Sequence, residues 1–312
     1  MDHKSSIPVS ATEVDIDKSF GRIIQALTDD NPFLYFLNQT MMSYAQDAFG
    51  NTAVMPQYFF SEKDTAVFNQ KIQNAANQII YDQKLTKDTD LDKVRKVHDY
   101  MCRNISYDYD GSDAKDLVRL ISAHNIMGVF AYRKAQCEGI AKAAKVLLNA
   151  VDVPCILATG QAKSSAGAMD AHCWNIVNIE GDPYQLDITF DIGMGTPDAM
   201  AYDYYNITDA QIRRDHVFST GLPRCTKKEA GYFEQAGLAF STKRQLKSYI
   251  AAQIKNGNRM LYFKLAGKLK ARDIAEEMTE YTMQTASDGG RRPVRSRRTV
   301  NEAANTCRIT IQ

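Results

Sequence analysis

The sequence predicts a fold that mixes helices and strands, and three observations carry that prediction. Apolar residues recur at helical spacing in two runs before residue 103 and again after Cys137. Three short apolar segments follow, Cys155–Gly160, His172–Ile179 and Tyr184–Phe190, each read as a strand. The chain has 312 residues, 44% hydrophobic and 24% charged, which is enough for one large domain or two modest ones.

Taken in order, residues 1–18 are polar and read as frayed, and Phe20 to Leu27 reads as a short helix. The apolar run Phe33–Leu37 reads as a buried strand. Gly50-Asn51 marks a turn between Ser43-Tyr44 and the stretch Val54 to Phe60, so a hairpin is expected. Val67, Ile72, Ala75, Ala76, Ile79 and Ile80 define a helix from Asp64 to about Tyr81. Asp88-Thr89-Asp90 supplies capping oxygens for the next helix, whose stripe of Leu91, Val94, Val97, His98 and Met101 runs to Cys102. Ser112 is expected to cap a short helix from Asp113 to Ile121, and residues 122–136 read as irregular.

After Cys137-Glu138-Gly139 the pattern Ile140, Ala143, Ala144, Val146, Leu147, Leu148 is helical until Pro154 forbids continuation. The Gly-, Ser- and Ala-rich stretch Gly160 to Asp170 reads as a mobile loop between two strands. The tail reads as a helix Leu246–Ile254, a strand Met260–Lys264, a helix Ala271–Tyr281, a loop over 287–293 and a closing strand Cys307–Ile311. The expected organisation is an N-terminal α+β extension over 1–85, a core over 86–225 and a basic C-terminal α+β extension over 226–312.

Net charge is +1, so no global field steers the protein toward nucleic acid or anionic membrane. The tail, residues 241–312, is nevertheless basic, with 15 Lys+Arg against 6 Asp+Glu. Arg291, Arg292, Arg295, Arg297 and Arg298 are the residues a nucleic-acid contact would use, but no nucleic-acid module accompanies them, and a solvated surface is the expectation. No segment is long and apolar enough to span a membrane, and the start lacks the apolar core of a signal peptide. The six cysteines, Cys102, Cys137, Cys155, Cys173, Cys225 and Cys307, match no zinc or disulfide template, so reduced thiols in a cytoplasm are expected.

Cys137 directly precedes a helix, where unpaired N–H groups and the positive end of the backbone dipole favour a thiolate and can hold an oxyanion. His172 opens a strand beside the expected mobile loop, where a base is accessible. Asp187 lies in an apolar segment, and a carboxylate buried there needs a partner. With Glu180-Gly181 as the two central residues of a hairpin turn, Asp187 falls opposite Trp174 and diagonal to His172, within reach of the imidazole. A carboxylate there fixes the tautomer that turns the other ring nitrogen to the thiol.

Cys-Glu-Gly before a helix, His-x-Trp-Asn at 172–175 and Asp-x-Thr-x-Asp at 187–191 together resemble the transglutaminase-like superfamily. The likeness covers roughly residues 88–216 and includes Val97-His98-Asp99-Tyr100, Tyr107-Asp108 and the stretch Tyr202 to His216, which is similar to bacterial members. It implies a papain-like α+β core in which the cysteine-bearing helix packs on an antiparallel β-sheet. It further implies Cys137 as nucleophile, His172 as base, Asp187 as orienting carboxylate, and an acyl-enzyme formed from an amide. Tyr184 stands where many members have a bulkier aromatic before the triad aspartate, and either Tyr132 or Gln136 fills the place of the oxyanion-assisting side chain.

Trp174 reads as core or pocket wall, His98 and His216 as structural, and Asp191 as a turn cap or a support behind the triad. The expected activity is hydrolysis of a protein or peptide amide rather than crosslinking. No cofactor is implied, and with no EF-hand loop no metal dependence is expected. The competing reading is a peptide- or cell-wall-binding module that keeps the fold without turnover. An intact Cys–His–Asp set argues against it.

Overall fold

The computed structural model describes residues 3–10, 15–111, 115–164, 167–287 and 294–312. The elements in chain order are β1 (Ile7–Val9), α1 (Ile16–Asp30), β2 (Ser43–Gln46), β3 (Thr52–Met55), α2 (Glu62–Asp82), α3 (Asp90–Asn104), β4 (Ser106–Tyr107), α4 (Leu117–Ala123), α5 (Ile126–Tyr132), β5 (Lys134–Ala135), α6 (Cys137–Asn149), β6 (Cys155–Lys163), β7 (Met169–Ile179), β8 (Asp182–Leu186) and α7 (Ile188–Met194). They continue with α8 (Asp209–Ile212), β9 (His216–Phe218), α9 (Tyr232–Gln235), β10 (Ala239–Phe240), α10 (Lys243–Lys255), β11 (Met260–Leu265), α11 (Ala271–Ser287), β12 (Ser296–Asn301) and β13 (Thr306–Ile311). The architecture is α+β, as the sequence predicts. Two compact units emerge, one of Met1–Thr159, Ala171–Glu180 and Asp187–Met200, the other of Gly160–Asp170, Gly181–Leu186 and Ala201–Gln312.

In the first unit the expected hairpin forms, with Ser43 opposite Met55 and Gln46 opposite Thr52, and β1 adds to the free side of β3. Gly50 takes φ 82° in the connecting loop, a conformation glycine adopts without steric cost. The strand expected over Phe33–Leu37 is absent. Pro32–Leu34 is a 3₁₀ turn, and Leu34 N–H to Asn31 O (2.9 Å) and Leu37 N–H to Leu34 O (3.0 Å) close successive turns. Pro32 has the fixed φ of a first helical turn. Tyr35, Phe36 and Leu37 are still buried, so the apolar run is core without being strand.

The helices start where short polar side chains accept backbone N–H groups: Ser61 for α2 and Thr89 for α3. The α4 helix begins later than predicted, capped by Asp116; Ser112 and Asp113 lie outside the described residues. The stretch read as irregular contains α5, started by Asn125, whose Oδ1 accepts the Met127 N–H at 2.8 Å. It packs against α2 and α6.

Most of the circumference of α6 is buried, which brings two lysines inward. Lys142 Nζ lies 2.5 Å from Glu138 and 3.6 Å from Asp29; Lys145 Nζ bonds Asp30 (3.2 Å) and the Asp29 carbonyl (2.8 Å). Burying an ammonium is tolerable only with such partners. The end of α1 therefore supplies the counter-charges for the central helix.

The loop expected over Gly160–Asp170 is shorter than predicted, because β6 continues to Lys163 and β7 begins at Met169; Ser165 and Ala166 lie outside the described residues. The expected turn at Glu180-Gly181 is present, with both residues at positive φ (52° and 93°). The strand predicted over Tyr184–Phe190 is corrected: β8 ends at Leu186 and the helix α7 begins at Ile188.

In the second unit β9 pairs antiparallel with the far end of β6 through Gly160↔Phe218 and Ala162↔His216. A four-stranded sheet of order β10-β11-β13-β12 packs with α10 and α11 around Leu246, Ile250, Phe263, Met278, Cys307 and Ile309. The strand β12 was not expected from the sequence. It is an edge strand with Arg297 and Arg298 exposed, so it carries little apolar alternation to read. Arg291 and Arg292 lie outside the described residues. No helix among the described residues is long and apolar enough to cross a membrane.

Candidate active site

Cys137 is the first residue of α6, and the preceding residue, Gln136, makes no side-chain cap. The first N–H groups of the helix are thus left without an intrahelical acceptor, beside the sulfur. Gln136 instead points its Nε2 at the Asp108 carbonyl (3.0 Å), and the Asp108 N–H bonds the Ala135 carbonyl (3.0 Å). Asp108 is itself buried. Burial alone would raise its pKa, but Lys134 (2.9 Å) and Arg119 (3.2 Å) outweigh that and hold the carboxyl below its usual range. These contacts fix the β4–β5 strand pair that delivers Cys137 to the helix start.

Gly139 permits the approach on the other side. A Cβ there would stand 2.8 Å from the Asn125 carbonyl oxygen, 2.9 Å from Ala135 Cβ and 3.0 Å from the Ala123 carbonyl oxygen. Any side chain would push the first turn of α6 off the segments that hold it.

His172 is carried by β7, and its strand is tied to α6 by Asn175, whose Nδ2 donates to the carbonyl of Ala141 (3.0 Å) and reaches that of Ile156 (3.4 Å). The imidazole is sandwiched between aromatics. Trp174, almost completely buried, stacks at 5.8 Å and 19°, and Phe190 lies at 5.0 Å. Its Nε2 is 2.7 Å from Asp187 Oδ2, and it is hydrogen-bonded to the Cys137 thiol. Burial disfavours the imidazolium, but Asp187, assisted by Cys137, overrides this and pushes the His172 pKa up to about 10.

Asp187 is fully buried and is the N-cap of α7, not a strand residue. Its Oδ1 accepts the Phe190 N–H at 3.1 Å, and its Oδ2 faces the histidine. The register expected from the sequence, with Asp187 opposite Trp174 within the ladder, is replaced by a cap just past the strand end.

The sequence-derived trio of Cys137, His172 and Asp187 is therefore brought together. Tyr132 is a half-exposed residue at the end of α5, and Gln136 has its amide on the Asp108 carbonyl. Asn175, which pins the histidine's strand, figures in the sequence only as the last residue of the His-x-Trp-Asn pattern, and Phe190, which packs on the imidazole, only as the end of an apolar segment. Their signal was position only, one residue after Trp174 and three after Asp187.

Over residues 77–186 this chain matches the model of the transglutaminase-like superfamily. It is 24% identical over 143 residues to the kyphoscoliosis peptidase of Mus musculus, and equally to that of Homo sapiens; the match covers 43% of this chain. It spans only 21% of the length of those relatives. Among solved structures, one described as a TGase aligns at 12% identity and a TM-score of 0.33, over 59% of this chain and 50% of the other.

Proposed function

We propose that this protein hydrolyses amide bonds of a protein or peptide through an acyl-enzyme on Cys137. The observation that carries the reading is a thiol at the first position of a helix, hydrogen-bonded to a histidine whose Nε2 is held 2.7 Å from a buried carboxylate. The thiolate attacks the carbonyl carbon, a C–S bond forms, and the carbonyl electron pair moves onto oxygen. Backbone N–H groups at the start of α6 stabilise that oxyanion. The His172 imidazolium donates its proton to the leaving nitrogen, the C–N bond breaks, and the amine departs. Water, deprotonated by His172, then attacks the thioester; the C–S bond breaks and the acid is released. Asp187 keeps the imidazole in the right tautomer and stabilises its charge.

Hydrolysis is favoured over crosslinking because water is always present, whereas transamidation needs an amine site that excludes it. Similarity to proteins named peptidases supports the same direction. The test is incubation with denatured proteins and a peptide library, with products read by mass spectrometry. New carboxyl termini that vanish in Cys137→Ala support the reading. Amine-linked products, or cleavage that survives Cys137→Ala, overturn it.

A further inference from the structure

A second buried cluster stands in the same unit as the triad. His98 on α3 is fully buried, with Nε2 3.2 Å from Asp191 Oδ2 and 3.5 Å from Cys102 Sγ. Its Nδ1 is 3.1 Å from Asp99 Oδ1, and Asp99 is in turn held by Arg95 Nε at 3.1 Å and Arg103 Nη2 at 3.9 Å. Asp191 is also fully buried. A carboxylate with no access to water is retained only with hydrogen-bonding partners in place, so the His98–Asp191 contact constrains where α7 can sit.

That constraint acts on a helix unable to hold itself. The seven residues of α7 are far below the length at which a helix is stable alone, so its position is set by what it is bonded to. Asp187, its N-cap, and Asp191 are four residues apart and share a face. Their backbones are linked as well, Asp191 N–H to Asp187 O at 3.3 Å. One carboxylate of this face goes to His98 and the other to His172.

We propose that the His98–Asp191 pair is the positioning device of the active site, locking α7 onto α3 so that Asp187 presents Oδ2 to His172. His98 and Asp191 touch no reacting atom; they act through Asp187. The inference rests on the triad reading above. Without the lock, α7 shifts or frays and the Asp187–His172 bond loosens, although all three triad residues remain.

The test follows the His172 imidazole by NMR titration of the full chain, with its resonances assigned by comparison with His172→Gln. In Asp191→Ala the His172 midpoint is expected to fall by about 1 pH unit, the low end of what an opposite charge at close range supplies. Asp187→Asn lowers the midpoint too, and combining it with Asp191→Ala adds nothing further if both act through one bond. Asp191→Asn keeps an oxygen for His98 and restores part of the shift, a rescue that simple destabilisation would not give. Should Asp191→Ala not fold, His98→Gln asks the same question. A folded Asp191→Ala or His98→Gln with the wild-type midpoint overturns the proposal, as does full additivity with Asp187→Asn. The titration needs no turnover, so its result stands apart from the activity test: loss of the amide-hydrolysis reading would leave the midpoint shift intact.

Discussion

Nε2 of His172 lies 2.7 Å from Oδ2 of Asp187, and the other oxygen of the same carboxylate caps α7 by accepting the Phe190 N–H. One buried side chain thus does two jobs. Asn is as good a helix cap as Asp, so Asp187→Asn separates them: the start of α7 is kept and the charge facing His172 is lost. A fall in kcat of roughly a hundredfold or more is expected, together with loss of the stabilisation that the charged pair supplies below the His172 midpoint. A change in kcat of less than a few-fold would remove Asp187 from the mechanism.

The same pair sets a pH dependence of stability. The folded protein holds His172 protonated up to about pH 10, well above an unfolded histidine. Its contribution is therefore complete below about pH 6.5 and is lost as pH rises toward 10. The unfolding free energy of the wild type, from urea titrations, should decline across that window by an amount on the order of 1 kcal/mol or more, and His172→Gln should show a flatter profile. Parallel profiles would show that the histidine is not held charged.

Thiol labelling separates Cys137 from the other cysteines. It is the partly buried one among six; the rest are buried. Burial pushes the thiols of Cys155 and Cys307 up to about 12 and raises those of Cys173 and Cys225. Iodoacetamide near neutral pH should modify Cys137 first, by peptide mass spectrometry, and His172→Ala should slow that reaction. Equal rates at all six sites would mean the thiol–imidazole contact does not operate in solution.

Gly139→Ala tests the close approach at the nucleophile. The neighbours a new Cβ would meet include two backbone carbonyls, which cannot swing aside. A loss of about 1–3 kcal/mol is expected in denaturant unfolding, together with reduced Cys137 labelling as the helix start moves. Wild-type stability would show that the segment around Asn125 yields easily.

Asn175→Ala removes the side-chain link between β7 and α6. Two carbonyls, of Ala141 and Ile156, lose a buried donor, at a cost of about 1–3 kcal/mol. Because this link holds the histidine's strand to the cysteine's helix, kcat should fall more than KM rises. An unchanged kcat would limit Asn175 to a structural part.

The sequence by itself determined the candidate chemistry and most of the local structure. A cysteine at a helix start, a histidine on a strand and an aspartate in an apolar segment are local signals, because each depends on nearby residues and on period; that the strand of His172 opens earlier, at Met169, is not legible in the Gly-, Ser- and Ala-rich stretch before it. Capping by Thr89, the hairpin at Gly50 and the turn at Glu180-Gly181 are of the same kind. What the tertiary structure decided is everything settled by distant partners. The Pro32–Leu34 turn and α5 replaced a predicted strand and a predicted loop, since buried apolar runs without period fit several backbones. Asp187 became a helix cap rather than a strand residue because one of its oxygens found the Phe190 N–H and the other found His172, fifteen positions away. His98 and Asp191, 93 positions apart, became a buried pair for the same reason: a charge removed from water takes whichever partner the fold brings to it, and local sequence does not say which that will be.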